Sequence, residues 1–126
     1  MYTVLIVDDE MLVRVGLKSM LDWEKEGFRI IGEADNGEKA LAIIRQRKPD
    51  IVITDYRMPV MDGILLLMQC KKEQLPSKFI ILSAYSDFEY VRSTLKNGAT
   101  DYLLKLELEP EKARALLRSP CPLSDV

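Results

Sequence analysis

Along the chain, short apolar runs alternate with longer amphipathic stretches. Five such runs are rich in Ile, Val and aromatic residues: Val4–Val7, Phe28–Ile31, Ile51–Thr54, Phe79–Leu82 and Tyr102–Leu104. They are apolar at successive positions rather than at every second one. That is the signature of strands covered on both faces. The intervening stretches repeat with helical spacing. Val13, Leu17, Met20 and Leu21 share one face, and Ala40, Ile43, Ile44 and Arg47 another. Ile64, Leu67 and Met68 continue the pattern, and Phe88, Val91 and Leu95 close it. The run Leu65–Met68 reads as core.

Boundary residues agree with this division. Asp35 or Asn36 caps the second helix, and Lys48-Pro49-Asp50 ends it. Asp62-Gly63 opens the third. Ser86-Asp87-Phe88-Glu89 has capping-box spacing, and Asn97-Gly98 is a helix stop. Glu109-Pro110-Glu111 places proline at the first helical position with acids near the positive end of the dipole. Strand and helix repeated five times imply an α/β fold, a doubly wound five-stranded parallel sheet with helices on both faces. The expected strand order is the flavodoxin-like 2-1-3-4-5, with the functional site where the order reverses, beside strands 1 and 3.

Composition narrows the chemistry. With 126 residues, about two-thirds of the chain's surface is buried on folding, enough for one core. One domain over residues 1–118 is expected. Residues 119–126, with Pro120 and Pro122, read as a linker, a frayed end or an added remnant, and Pro120 keeps the last helix short. The net charge of −2 lacks the footprint of a nucleic-acid binder. No apolar run approaches a membrane span, and the N-terminus runs into acids rather than a secretory signal. A cytoplasmic chain with reduced Cys70 and Cys121 is expected. Histidine is absent, which excludes Ser-His and Cys-His catalytic pairs.

Polar residues collect at one edge of the predicted sheet. Strand 1 ends in Asp8-Asp9-Glu10, strand 3 in Asp55, strand 4 in Ser83, and strand 5 runs into Lys105. In a parallel sheet these ends share an edge. Asp8, Asp9 and Asp55 would crowd together and resist ionisation without a cation. A hard divalent ion such as Mg²⁺ with oxygen ligands resolves the repulsion. Singly, each residue has an ordinary reading as a helix cap, a turn residue or a solvated lysine. Jointly they make a phosphoryl-transfer site.

Val-Leu-Ile-Val-Asp-Asp-Glu (4–10), Ile-Val-Ile-Thr-Asp-Tyr-Arg-Met-Pro-Val-Met-Asp-Gly (51–63), Ile-Ile-Leu-Ser-Ala-Tyr (80–85) and Gly-Ala-Thr-Asp-Tyr-Leu-Leu-Lys (98–105) closely resemble the receiver domain of two-component response regulators. Asp22-Trp23 and Ser-Asp-Phe-Glu-Tyr-Val-Arg (86–92) resemble the subgroup that precedes an AraC-type helix-turn-helix output domain. The resemblance implies that Asp55 accepts a phosphoryl group from a phosphohistidine on a sensor histidine kinase. It implies Mg²⁺ ligation by Asp9 directly, Asp8 through water, Asp55, and the backbone carbonyl of Arg57. Ser83 and Lys105 would contact phosphoryl oxygens. Tyr102 would turn inward as Ser83 moves. DNA contact would come only through an output domain outside this chain, which reads as an excised receiver. Leu106 stands where the family usually has proline, so a trans peptide and an altered loop are expected there.

Three rivals share parts of this pattern. A flavin-binding electron carrier needs a phosphate-cradling loop after strand 1, where this chain has three acids. An aspartyl phosphatase needs a second Asp two positions on, where Arg57 stands. A receiver-like module that never accepts phosphate tends to lose the central acid or the lysine, and both are present. A mixed-charge face of Arg92, Lys96, Asp101, Glu107 and Glu111 suits a two-fold homodimer through helix 4, strand 5 and helix 5.

Overall fold

A computed structural model describes residues 1–95 and 101–118. The elements are β1 (Tyr2–Val7), α1 (Met11–Met20), β2 (Phe28–Ala34), α2 (Gly37–Arg47), β3 (Ile51–Asp55), α3 (Gly63–Lys72), β4 (Lys78–Ser83), α4 (Phe88–Leu95), β5 (Asp101–Leu104) and α5 (Pro110–Arg118). One-turn 3₁₀ helices lie at Tyr85–Asp87 and Lys105–Glu107. The strands form one parallel sheet in the order β2-β1-β3-β4-β5, as the pattern predicts. Asn97-Gly98 and the tail 119–126 lie outside the described residues.

Alternate residues of the central strands feed two cores, because successive side chains point to opposite faces. Leu5, Val7, Val52, Phe79 and Ile81 pack with α2, α3 and α4 residues such as Ile44, Leu66 and Val91. Val4, Ile6, Ile51, Ile53, Ile80 and Leu82 face Leu17, Leu21, Ala113 and Leu117 of the other layer. The Trp23 indole N–H donates to the Leu17 carbonyl at 3.1 Å. Burying both faces in this way rigidifies the strand ends that carry the polar residues.

Several boundaries move. β2 continues three residues past Ile31, because a register shift between Val4 and Leu5 absorbs Ile31 and pairing resumes at Gly32. Asn36, not Asp35, caps α2, its side chain accepting from Lys39 N–H at 2.9 Å. α2 stops at Arg47 with Lys48 left-handed at φ 45°. Asp62 caps α3 through Leu65 N–H at 2.8 Å. Ser86 lies inside the 3₁₀ turn ahead of α4 rather than at a capping-box position, and Asp87 binds Arg57. The Leu65–Met68 stretch is not all core: Leu66 and Leu67 are buried, whereas Leu65 and Met68 are more than half exposed. The buried face of α3 runs through Gly63, Leu66, Leu67 and Cys70, which turns Met68 outward.

The base of the sheet also ties down α5. Lys78, almost fully buried, donates to the Leu116 carbonyl at 2.8 Å, and its Nζ is 3.4 Å from Asp101. Glu26 accepts from Arg114 Nε at 3.0 Å and from Arg118. No helix among the described residues is long and apolar enough to cross a membrane.

Candidate functional site

The C-terminal edge of the sheet concentrates polar groups that the core would otherwise exclude. Asp8, Thr54, Asp55, Ser83 and Asp87 are all buried there. Asp8, Thr54, Asp55 and Ser83 lie at or just past the ends of strands whose apolar residues are fixed by two-sided packing, and Asp87 sits in the turn after β4. Thr54 is satisfied locally, donating to the Asp55 carbonyl at 3.0 Å. Tyr56 N–H donates to the Leu82 carbonyl at 2.8 Å, joining the residue after Asp55 to the end of β4.

Lys105 organises the centre. Its Nζ lies 3.0 Å from Asp8 Oδ2, 3.2 Å from Asp55 Oδ2 and 3.5 Å from Glu10 Oε1. The Lys105–Leu106 peptide is trans, and a 3₁₀ turn over Lys105–Glu107 carries the chain away. The lysine expected at the strand-5 end therefore does reach the acids. Asp8 Oδ1 accepts from Glu10 N–H at 2.9 Å, while Arg14 donates to the Asp8 carbonyl at 2.6 Å. Asp8 Oδ2 has the ion pair with Lys105 but no contact of full hydrogen-bond geometry. Ser83 Oγ is buried and unpartnered.

These surroundings shift the acids. Burial, reinforced by the charge on Asp8 and only partly offset by Lys105, pushes Asp55 up to about 6. Burial also raises Asp8, against the Glu10 N–H and Lys105. Burial works against the Lys105 charge, yet its bonds with the two carboxylates hold it above the usual lysine value.

Among the described residues, the cluster of acids with carboxylate oxygens within 4.8 Å of one another is Asp8, Asp9 and Glu10, without the Asp55 expected to crowd with the first two. Asp55 joins them through Lys105. Glu10 is thus a member of the cluster to which the sequence assigned no role, although its place in the Asp-Asp-Glu run was visible. Arg57, two residues past Asp55, directs its side chain away from the acids into a bidentate pair with Asp87, at 2.7 and 3.0 Å. Tyr102 is half-buried, and its ring packs tilted against that of Phe88 of α4, with 5.7 Å between centroids and 57° between planes. Gly63 matters for a reason its motif does not announce. A Cβ there would lie 2.5 Å from the Asp55 carbonyl oxygen, so only glycine lets α3 start against the end of β3.

Cys70 is buried and its thiol is pushed up to about 11 by burial, which leaves it unreactive. Cys121 lies outside the described residues.

The fold, the strand-end acids and the lysine define a class. Residues 4–118 match the response regulator receiver domain family. The chain is 46% identical over 105 residues to an uncharacterised response regulatory protein of Staphylococcus epidermidis, covering 83% of this chain and 41% of that one. It is 43% identical, with the same coverage, to the transcriptional regulatory protein HptR of Staphylococcus aureus. The structure of a two-component transcriptional regulator AraC from Clostridium phytofermentans superposes with a TM-score of 0.81 at 38% identity, covering 92% of this chain and 90% of that one. The chain therefore belongs to the response regulator receiver domain family, a family of signalling domains rather than classical enzymes. It spans less than half the length of those two sequence relatives.

Proposed function

We propose that residues 1–118 form a phosphoacceptor switch in which Asp55 takes a phosphoryl group from a sensor histidine kinase. The observation that carries this reading is Lys105 Nζ between Asp8 and Asp55, beside an unpartnered buried Ser83 Oγ. Such a site suits an incoming phosphoryl group: Lys105, paired with carboxylates at rest, can turn to its oxygens, and the Ser83 hydroxyl has a donor to spare.

The oxygen-only donor set fits Mg²⁺. Asp8, Asp9, Asp55 and the Arg57 carbonyl are the proposed ligands, with Glu10 close enough to the first two to contribute through water. When bound, the ion neutralises charge on the acids and on the transferred group. The protein's own residues do the rest. Near neutral pH Asp55 is largely ionised despite burial, so a carboxylate lone pair is available. Its oxygen forms a bond to phosphorus as the bond from phosphorus to the donor nitrogen breaks and that nitrogen keeps the electron pair. Lys105 pairs with one phosphoryl oxygen, and Ser83 donates its hydroxyl proton to another. No general base is needed, in keeping with a site that has no histidine.

The product adds about −1.5 to −2 charges and new acceptor oxygens. Movement of Ser83 toward them opens space that Tyr102 fills from its position against Phe88. The surface formed by α4, β5 and α5 changes accordingly. We assign to this surface a phosphorylation-dependent homodimer and, through it, control of a DNA-binding output domain. Its charges are already engaged within the chain, Arg92 with Glu89 and Glu107 with Lys112, so the dimer gains little from them and is weak. Met11, Leu12 and Val15 are exposed on α1 just past the acids and offer the kinase an apolar docking face.

The test is intact mass after incubation with Mg²⁺ and a small acyl-phosphate donor. One phosphoryl group should be added, and Asp55→Asn or metal chelation should abolish it. Labelling that survives either change refutes the assignment.

A further inference from the structure

Two loops flank the acids at the sheet edge, and a single ion pair ties them together. Arg57 lies two residues past Asp55, at the start of the β3–α3 loop. Asp87 closes the 3₁₀ turn that begins directly after Ser83 and Ala84. The guanidinium donates from Nε to Asp87 Oδ2 at 3.0 Å and from Nη2 to Oδ1 at 2.7 Å. Such fork-to-fork geometry fixes orientation as well as distance. The Asp87 side chain is 11% exposed although the Arg57 side chain is 76% exposed, so the turn, not the arginine, is the rigid half. Asp87 N–H also donates to the Ala84 carbonyl at 3.0 Å, which makes Ala84–Asp87 a short braced turn directly after Ser83. Pulling on Asp87 therefore pulls on Ser83.

That unit holds Ser83 in a costly place. Its hydroxyl is buried without a hydrogen-bond partner. A buried polar group stays unsatisfied only where its surroundings over-determine its position. The bidentate pair is a candidate for that constraint, because it joins the Ser83 segment to the Asp55 segment across 30 residues of sequence.

We infer that Arg57 and Asp87 form a resting-state latch, holding the β4–α4 loop so that Ser83 does not engage the Asp55 site until a phosphoryl group arrives. This rests on the phosphoacceptor reading above for its consequence, but not for the latch itself. Arg57 and Asp87 are positioning residues: neither side chain contacts the acids, and both act through Ser83. Releasing the latch lowers the cost of the rearranged state and so strengthens whatever binds that state.

The experiment compares wild type with Asp87→Asn, Arg57→Gln and the double variant. Binding of beryllofluoride with Mg²⁺, a phosphoryl mimic, is measured by titration. Each single variant should bind about two to five times more tightly, the upper part of the range expected for a solvent-exposed ion pair. The double variant should gain no more than either single, because both break the same pair. Amide hydrogen exchange is measured without the mimic. Exchange over Ala84–Phe88 should accelerate at least threefold in Arg57→Gln, while the strands keep their protection. A variant that is merely less stable would accelerate exchange everywhere and would not tighten binding. Unchanged exchange at Ala84–Phe88, additive effects in the double variant, or weaker binding in the singles overturns the latch. If wild type itself fails to bind the mimic, the Asp55 reading falls, and the exchange result alone decides the latch.

Discussion

Replacing Asp55 by Asn should make the ligand-free protein more stable. Asp55 is 6% exposed and burial pushes it from the ordinary 3.8 up to about 6. The folded state therefore keeps a proton on Asp55 that the unfolded state releases near pH 4. Between those values the folded state binds more protons, so stability falls as pH rises through the window. Above pH 6 the loss is complete, about 3 kcal/mol at pH 7.5, whereas at pH 4.5 it is about 1 kcal/mol. Asparagine keeps the shape and has no charge to bury. It also leaves Lys105 with one carboxylate fewer, so the net gain at pH 7.5 is about 1.5–3 kcal/mol, or a midpoint increase of about 5–10 °C. Urea unfolding in the presence of a chelator, at pH 7.5 and 4.5, measures it. The gain should be larger at the higher pH. Added Mg²⁺ should then stabilise wild type more than the variant, since the variant has lost a ligand. A variant less stable than wild type at pH 7.5, or a gain as large at pH 4.5 as at 7.5, would show that carboxylate burial is not what strains this site.

The remaining predictions probe separate parts. Asp9→Ala should weaken Mg²⁺ binding more than Asp8→Ala, because a direct ligand is worth more than a water-bridged one; calorimetric titrations with equal affinities would exclude that ligand set. Gly63→Ala should cost about 1–3 kcal/mol in denaturant unfolding, since its Cβ meets the Asp55 carbonyl at 2.5 Å; an unchanged midpoint would mean α3 shifts freely. Leu12→Asp should slow transfer from a histidine kinase that phosphorylates wild type by at least tenfold, yet leave labelling by a small acyl phosphate intact; equal slowing of both would place Leu12 in folding rather than docking. Sedimentation at high protein concentration should show more dimer with beryllofluoride than without, and an unchanged mass distribution would remove the dimer while sparing Asp55.

How far the sequence carries depends on the range of the forces involved. Strands covered on both faces write themselves as unbroken apolar runs, so Ile51–Thr54 and Phe79–Leu82 need no partner to be recognised. Parallel pairing then places Asp8, Asp55, Ser83 and Lys105 at one edge by topology alone, and the pairing of Lys105 with Asp8 and Asp55 follows. What stays hidden depends on contacts between distant segments. The bulge at Ile31 arises from β1, and the outward turn of Met68 from how α3 lies on the sheet. A lysine opening a strand gives no sign that it will be buried, yet Lys78 is, because the Leu116 carbonyl and Asp101 receive its charge. The Arg57–Asp87 pair joins two motifs that the sequence presents separately.

The location of the strain fits the proposed switch. Five of the six buried polar or charged side chains among the described residues gather at the C-terminal edge, and Lys78 alone sits at the other end. Asp55 is held where ionisation is penalised, and Ser83 where its hydroxyl has no partner. Both deficits lie within one fold edge and have opposite character, one a surplus of negative charge and one an idle donor. On the proposed assignment a cation answers the first, and a phosphoryl oxygen answers the second. A ligand that relieves both has a strong preference for the state in which Ser83 has moved, and differential affinity of this kind is what shifts a two-state equilibrium. The two-sided core supplies the opposing stiffness. Val4–Val7 and Ile51–Ile53 are buried on both faces, so the strand interiors resist movement, and the proposed rearrangement is confined to strand ends and loops. Among those loops, the one that follows Ser83 leads directly into α4, where Phe88 packs against Tyr102. On the proposed assignment, chemistry at Asp55 therefore reaches the α4–β5–α5 surface by one short mechanical route, with the Arg57–Asp87 pair as its resistance.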